Sequence, residues 1–514
     1  MVSHKQKQTT IKPKFIIIGL AIFFSILFFV DLQPEKPEVT YTAAIAFLMA
    51  FWWVTEALPI GLTSLLPILL FPMLGVLDGK SISNSYINYV IFLFIGGFIM
   101  ALAIEKWNLH KRIALKILSI MGGSPFMILA GFMFSSAFLS MWMSNTATAM
   151  MMLPIAFSVI LSLEEIHGEK KIKKYSIGLL LSIAYACSIG GIATLVGTPP
   201  NLSFLRIYEI IFPNAPEISF GQWITFALPI SFFMFWFTLL FLYLIFKPKQ
   251  KLESLPKSFF KNKYKELGNI TSEQKRVFVL FILLAILWVF RKSIDLGFVT
   301  TPGWSSVFKH PEYINDGTVA IFVATLLFIT PASKKNETLV TWKITRKIPW
   351  RIVFLFGGGF ALAKGFIDSG LSTYIGNVLA NASTFSTPSI LVTLTGIMSL
   401  LTEFTSNTAT TEMMLPIISG LAVQLKINPL LFMLPITLAA SMAFMFPIAT
   451  PPNAIIFGSG KIKMIEMIKV GFFINLVAII VISVATLTLG KIIFHINLNE
   501  FPIWANQTIS TLPK

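Results

Sequence analysis

Two short runs carry the polar chemistry of an otherwise apolar chain. Ser144-Asn145-Thr146-Ala147-Thr148, followed by Met151-Met152-Leu153-Pro154-Ile155, recurs 262 residues later as Ser406-Asn407-Thr408-Ala409-Thr410 followed by Met413-Met414-Leu415-Pro416-Ile417. Hydroxyls and a carboxamide offer oxygen donors to a cation and N–H or O–H donors to an anion. Each run interrupts a long apolar stretch, 126–162 and 387–424, at mid-length. Polar groups at membrane depth are tolerable where they line a cavity or bind something. A helix that starts at such a tip presents free N–H groups and a positive dipole end, so an anion can be held there without a cationic side chain.

A second pair has the same character. Thr198-Pro199-Pro200-Asn201 and Thr450-Pro451-Pro452-Asn453 match at a shift of 252, each inside an apolar span. Two prolines remove two backbone donors and break the helix. The threonine suits an N-cap and the prolines the first turn of a restarting helix. Carbonyls freed around Val196-Gly197 and Ile448-Ala449 are hard oxygen ligands for a small cation such as sodium. One tip and one break per half make a cation site, and two halves make two.

The elements around these motifs must lie in a bilayer. The chain has 514 residues, 55% of them hydrophobic and 12% charged, with a mean hydropathy of +0.79, which no soluble domain could bury. Apolar helices are predicted near 15–31, 41–57, 59–78, 88–104, 176–205, 223–246, 277–290, 317–330, 351–366, 429–457 and 470–490. The two interrupted stretches, read as re-entrant hairpins, leave about eleven crossings and an all-α polytopic membrane protein. The first run follows Lys5, Lys7, Lys12 and Lys14, but Leu32–Thr40 lacks a small-residue cleavage site, so it reads as a retained span.

The formal charge of +17 is explained by position. With the N-terminus in the cytoplasm, the inner segments 1–14, 105–118, 162–175, 247–276, 332–351 and 460–469 hold 30 of the 40 Lys and Arg residues, and the outer loop 207–222 has none. The C-terminus is then extracytoplasmic. Basic residues divided in this way among short loops form no nucleic-acid face. Loop 247–276, mixed in Lys and Glu, suits a surface helix or an arm on anionic lipid. Gly96-Gly97-Phe98 and Gly358-Gly359-Phe360 share the 262-residue shift, and the first hairpin opens from inside while the second opens from outside. The halves are inverted repeats, as in secondary transporters.

Other residues have plainer readings. The glycines and Met150–Met152 suit helix packing; Cys187, alone in an apolar segment, excludes a disulfide framework and is a packing residue. His110 and His167 fall in basic inner loops and read as solvated. Zinc-type His/Glu spacing, a phosphate-binding glycine loop and a nucleophile with a nearby base are all missing from the sequence, so it does not read as an enzyme. Ionisable residues within the spans are few, chiefly Glu56, Lys364, Glu403 and Glu412.

At Trp52-Trp53-Val54-Thr55-Glu56-Ala57, Phe92-Leu93-Phe94 with Gly96-Gly97-Phe98, both Ser-Asn-Thr runs and Ala449-Thr450-Pro451-Pro452-Asn453-Ala454-Ile455-Ile456-Phe457-Gly458, the sequence resembles the divalent anion:sodium symporter family nearly end to end. The resemblance implies a homodimer in which scaffold helices hold a mobile transport domain that moves across the bilayer as an elevator. The corresponding division is a tail 1–14, scaffold 15–124, transport region 125–246, connecting loop 247–276, scaffold 277–386, transport region 387–490 and tail 491–514. By family pattern, Ser140, Ser144, Asn145 and Gly197 hold one sodium, and Thr402, Thr405, Asn407 and Ala449 another. The substrate carboxylates meet Asn145-Thr146 and Asn407-Thr408, with Thr198-Pro199 and Thr450-Pro451 close by.

The expected activity is therefore sodium-coupled uptake of a C4-dicarboxylate such as succinate, fumarate or malate across the cell (inner) membrane, with a dianionic carboxylate, sodium ions and membrane lipid as partners. A sodium-independent exchanger of dicarboxylates or 2-oxoglutarate on the same fold is the alternative. Glu412 departs from the pattern: it lies five residues past Asn407, where the first repeat has Met150. Facing the site it would repel a dianion or bind a proton or cation; facing a polar interface it is structural.

Overall fold

The computed structural model describes residues 11–248, 254–256, 258–295, 300–334, 336–379, 385–498 and 500–509. Five helices come first: α1 (Pro13–Phe29), α2 (Pro37–Thr55), α3 (Ile60–Thr63), α4 (Leu66–Met73) and α5 (Gly79–Tyr86). The first repeat runs α6 (Tyr89–Lys106), α7 (Leu109–Met121), α8 (Pro125–Ser140), α9 (Asn145–His167), α10 (Glu169–Gly191), α11 (Pro199–Ile211) and α12 (Phe220–Phe246). After α13 (Ser258–Lys265), α14 (Ser272–Val289) and α15 (Asp316–Ile329), the second runs α16 (Trp350–Asp368), α17 (Leu371–Leu379), α18 (Thr387–Leu401), α19 (Asn407–Gln424), α20 (Leu430–Ala440), α21 (Pro451–Phe457) and α22 (Met464–Ile493). Seven elements thus match seven in order. A two-residue ladder, Ile294 opposite Thr301, is the one sheet among the described residues.

Among the described residues, seven helices are long and apolar enough to cross a membrane, from Pro37–Thr55 to Met464–Ile493, and six shorter apolar helices accompany them. Several expected boundaries move for local reasons. The span expected at 59–78 divides into α3 and α4 at Ser64-Leu65, with Pro67 in the first turn of the second piece. Segment 162–175 is mostly helical: α9 continues to His167, Gly168 turns the chain at φ +83°, and α10 begins at Glu169. Loop 247–276 does contain a surface helix, α13, which buries Phe260 and lies against α7. Behind it Arg112 is buried, and its guanidinium donates to the carbonyls of Leu267 and Gly268 at 3.0 Å and to Gln274 Oε1 at 2.9 Å.

The glycine-rich spans pack as their composition suggests. A methyl group at Gly96 would collide with the backbone of Ala320 on α15, and one at Gly358 with the backbone of Ser64. The same repeat position therefore lets a neighbouring helix approach to backbone contact in each half. Two apolar clusters result. The smaller joins α1, α2, α4 and α5 to α16, α17 and Ala409 of α19 through Trp53, Phe71, Tyr86 and Phe366; the larger includes α8–α12 and α20 and shares α16 with it.

Candidate functional site

Both Ser-Asn-Thr runs lie at helix starts that follow sharp tips. Ser144 has extended backbone, and its Oγ accepts the Ala147 N–H at 3.1 Å, which caps α9. Ser406 occupies the same place before α19 but makes no side-chain cap. The Asn407, Thr408 and Ala409 N–H groups consequently have no acceptor among the described residues. The second tip leaves one more amide donor than the first.

The breaks are built as the prolines require. Between α10 and α11 the chain is non-helical from Ile192 to Thr198, and between α20 and α21 from Ser441 to Thr450. The motif's final asparagine fastens each break: Asn201 Nδ2 donates to Thr194 O at 2.7 Å, and Asn453 Nδ2 to Ala443 O and Phe446 O at 3.1 Å. Thr450 caps α21 as expected, accepting the Asn453 N–H at 3.3 Å. Thr198 does not cap α11; its Oγ1 lies 3.3 Å from Ser441 Oγ in the other repeat, joining the two breaks directly.

Tip and break are tied within each repeat by different chemistry. In the first, Thr194 Oγ1 donates to Met141 O at 2.5 Å. In the second, Glu403, at the position of Met141, accepts from the Phe444, Met445 and Phe446 N–H groups at 2.7–3.1 Å and from Asn475 Nδ2 at 2.6 Å. The carboxylate replaces water for a stretch of unwound backbone that is buried at Phe444 and Met445 and half-buried at Phe446.

All four elements meet at one cavity of about 480 Å³. Of the residues singled out from the sequence, Ser144, Asn145, Thr146, Gly197, Thr198, Pro199, Thr405, Asn407, Thr408, Ala449, Thr450 and Pro451 line it. Ser140 and Thr402 stand behind the lining and orient its asparagines. Ser140 Oγ donates to Asn145 Oδ1; Thr402 Oγ1 lies 2.7 Å from Asn407 Oδ1 and 2.6 Å from Ala440 O. In this arrangement each amide turns its oxygen toward the hydroxyl. The Nδ2 groups then have no acceptor among the described residues and remain donors for an anion. Around Thr402, three oxygens share one proton, the donor chemistry of a hard cation. In the first repeat, Gly191 brings its backbone against both the Asn145 carboxamide and the Gly197 carbonyl, a fit that a side chain would prevent.

The remaining candidates separate clearly. Glu412 is fully buried away from the cavity, packed on Gly359 with Oε1 accepting from Ser203 Oγ at 2.9 Å, which makes it an interface residue between α19, α16 and α11. His110 is not solvated as the basic loop suggested: it is buried in α7, with Nδ1 3.1 Å from Ile104 O. His167, half-buried, ends α9. Cys187 is buried in α10. Lys364 pairs with Asp368 at 3.0 Å. Glu56 lies past the end of α2 in left-handed conformation, and with Lys12 and Arg351 it lines the cavity. Arg351, Lys12 and the staples Thr194, Asn201, Glu403 and Asn453 were not picked out as site residues. For the asparagines the signal was present, since each ends a repeated motif.

Two hairpin tips and two broken helices around a single cavity define a secondary transporter built from repeats. The chain belongs to the sodium:sulfate symporter transmembrane-region family, whose model matches residues 12–496, and it is thus a multi-pass membrane protein of a transporter family and not an enzyme. It is 40% identical over 492 residues to the sodium-dependent dicarboxylate transporter SdcS of Staphylococcus aureus strain bovine RF122, covering 94% of this chain and 92% of that one; the SdcS of strain MSSA476 is 39% identical over the same shares. In fold it resembles the Alcanivorax borkumensis YdaH transporter, at a TM-score of 0.56 and 12% identity over 94% of this chain and all of that one. Neisseria gonorrhoeae MtrF gives a TM-score of 0.55 at 12% identity over 90% and 96% of the respective chains.

Proposed function

We propose that this protein carries out sodium-coupled symport of C4-dicarboxylates, such as succinate, fumarate and malate, into the cell. The observation that carries the reading is the orientation of Asn145 and Asn407. Each amide turns its oxygen to a hydroxyl in an oxygen-rich nook and keeps its Nδ2 for the cavity. A sodium ion held by Ser140, Ser144, Asn145 and Gly197, and another by Thr402, Thr405, Asn407 and Ala449, would polarise those amides and strengthen their donation to a carboxylate. The dianion is held by Asn145-Thr146 and Asn407-Thr408, with Thr198-Pro199 and Thr450-Pro451 completing the walls. Its charge is met by helix starts and by the two cations. The likeness to the dicarboxylate transporter SdcS favours dicarboxylate over sulfate.

The reading extends to sidedness and motion. The N-terminus is cytoplasmic and the C-terminus extracytoplasmic, with eleven crossings and two inverted hairpins. Regions 15–124 and 277–386 form a scaffold, and 125–246 with 387–490 form the moving body, in a homodimer joined through the scaffold. An apolar cluster that joins α1, α2, α4, α5, α16 and α17, and reaches Ala409 of α19, supports grouping those scaffold helices together. Lys12, Glu56 and Arg351 line the cavity from the side assigned to the cytoplasm, so the conformation is inward-facing. The test is radiolabelled succinate uptake into proteoliposomes. Accumulation driven by an inward sodium gradient is expected; uptake indifferent to sodium but requiring internal dicarboxylate would establish the exchanger instead.

A further inference from the structure

We propose that Arg351, assisted by Lys12 and opposed by Glu56, forms a charged rim on the cytoplasmic mouth of the cavity that sets how tightly the carrier holds a dicarboxylate from the inside. The inference rests on the transport and orientation reading above.

Among the described residues, Lys12, Glu56 and Arg351 are the three ionisable ones on the cavity lining. Each stands at the end of its helix that opposes its charge. Lys12 immediately precedes α1, Arg351 lies in the first turn of α16, and Glu56 follows the last turn of α2. Helix ends favour the reverse arrangement, with anions at N-termini and cations at C-termini. Arg351 and Glu56 therefore gain nothing from the dipoles of their own helices, whereas Lys12 caps a carbonyl at the end of α2. Positive-inside bias accounts for basic residues on this face but not for their position on the wall of the cavity.

Their partners separate the three. Lys12 Nζ donates to Thr55 O at 2.8 Å, which holds the ammonium beside Glu56 without pairing the two. Arg351 is exposed and makes no hydrogen bond or ion pair among the described residues, and the same holds for the Glu56 carboxylate. The Arg351 backbone is held firmly, because Gly61 packs directly against its Cα. An unpaired guanidinium on a packed backbone is suited to a carboxylate, which it can engage through two parallel N–H donors. A C4 dianion on its way between the asparagine tips and the cytoplasm passes this rim, whose net charge is positive. The extracytoplasmic approach does not.

The experiment compares right-side-out and inverted membrane vesicles from cells expressing the full chain, measuring half-saturating succinate on each face at saturating sodium. Arg351→Gln is expected to raise the constant on the cytoplasmic face roughly three- to tenfold, as loss of one charge near a dianion in a wet cavity implies. Glu56→Gln is expected to lower it, Arg351→Lys to restore most of the wild-type value, and the external constant to move less than about twofold. A cytoplasmic constant unmoved by Arg351→Gln overturns the rim. So does a shift in the same direction for Arg351→Gln and Glu56→Gln, which would report packing and not charge, or an equal shift on both faces. Wild-type vesicles that take up no succinate overturn the symport reading together with the rim; wild-type uptake with unmoved constants overturns the rim alone.

Discussion

At the scale of single residues, the site depends on side chains that present two chemistries at once. Asn407 gives its oxygen to Thr402, whose hydroxyl also reaches Ala440 O at 2.6 Å, and leaves its Nδ2 for the cavity. One proton among three oxygens leaves lone pairs for a cation. Thr402→Val keeps the shape and removes one of those oxygens. It is expected to raise the sodium concentration at half-maximal uptake about tenfold, equivalent to about 1.4 kcal/mol. Measured at saturating sodium, the KM for succinate should change much less. Equal loss in both would place Thr402 in the packing and not at the cation. Glu412, by contrast, shows why sequence position alone misleads: five residues past Asn407, it is turned by the helix away from the cavity and toward Ser203 and Gly359.

At the scale of elements, the two repeats share a plan and differ in how each tip is fastened to its break. A hydroxyl and a carbonyl suffice in the first repeat, where Thr194 meets Met141 O. In the second, Glu403 gathers three consecutive backbone N–H groups and Asn475 of α22. Glu403→Gln removes a charged acceptor from buried donors and is expected to destabilise the fold by about 2 kcal/mol. Thermal unfolding of the purified protein would show it, and an unchanged midpoint would mean that water takes over the role. The tips, breaks and glycine contacts were legible because proline, glycine and repeated polar runs act locally, through a lost N–H, a missing Cβ or an exposed helix start. Glu403 was visible in sequence only as an ionisable residue in a span, since its partners lie about forty residues away in the chain. His110 was misread for the same reason: a basic neighbourhood in sequence says nothing of the helices that cover it. The division of 59–78 into α3 and α4 escaped because apolar composition reports depth and not continuity.

At the scale of the whole molecule, the two repeats bring four helix ends to one cavity, and sidedness decides which face the rim of Lys12, Glu56 and Arg351 serves. Cys187 is buried, so the natural chain is a quiet background for thiol labelling. Lys309→Cys, on an exposed stretch between α14 and α15, should react with an impermeant maleimide on intact cells. Lys173→Cys, exposed near the start of α10, should react only after permeabilisation; the opposite pattern would invert the topology and move the rim outside. The central claim is that Asn145 and Asn407 each join a cation to the substrate. It is tested most directly by titrating succinate into purified wild-type, Asn145→Asp and Asn407→Asp protein, in sodium and in potassium. Wild-type protein is expected to bind in sodium and not in potassium, with a loss of at least about a hundredfold in each variant, where a like charge replaces an N–H donor. Wild-type binding of equal strength in potassium, or undiminished binding by both variants in sodium, would contradict it.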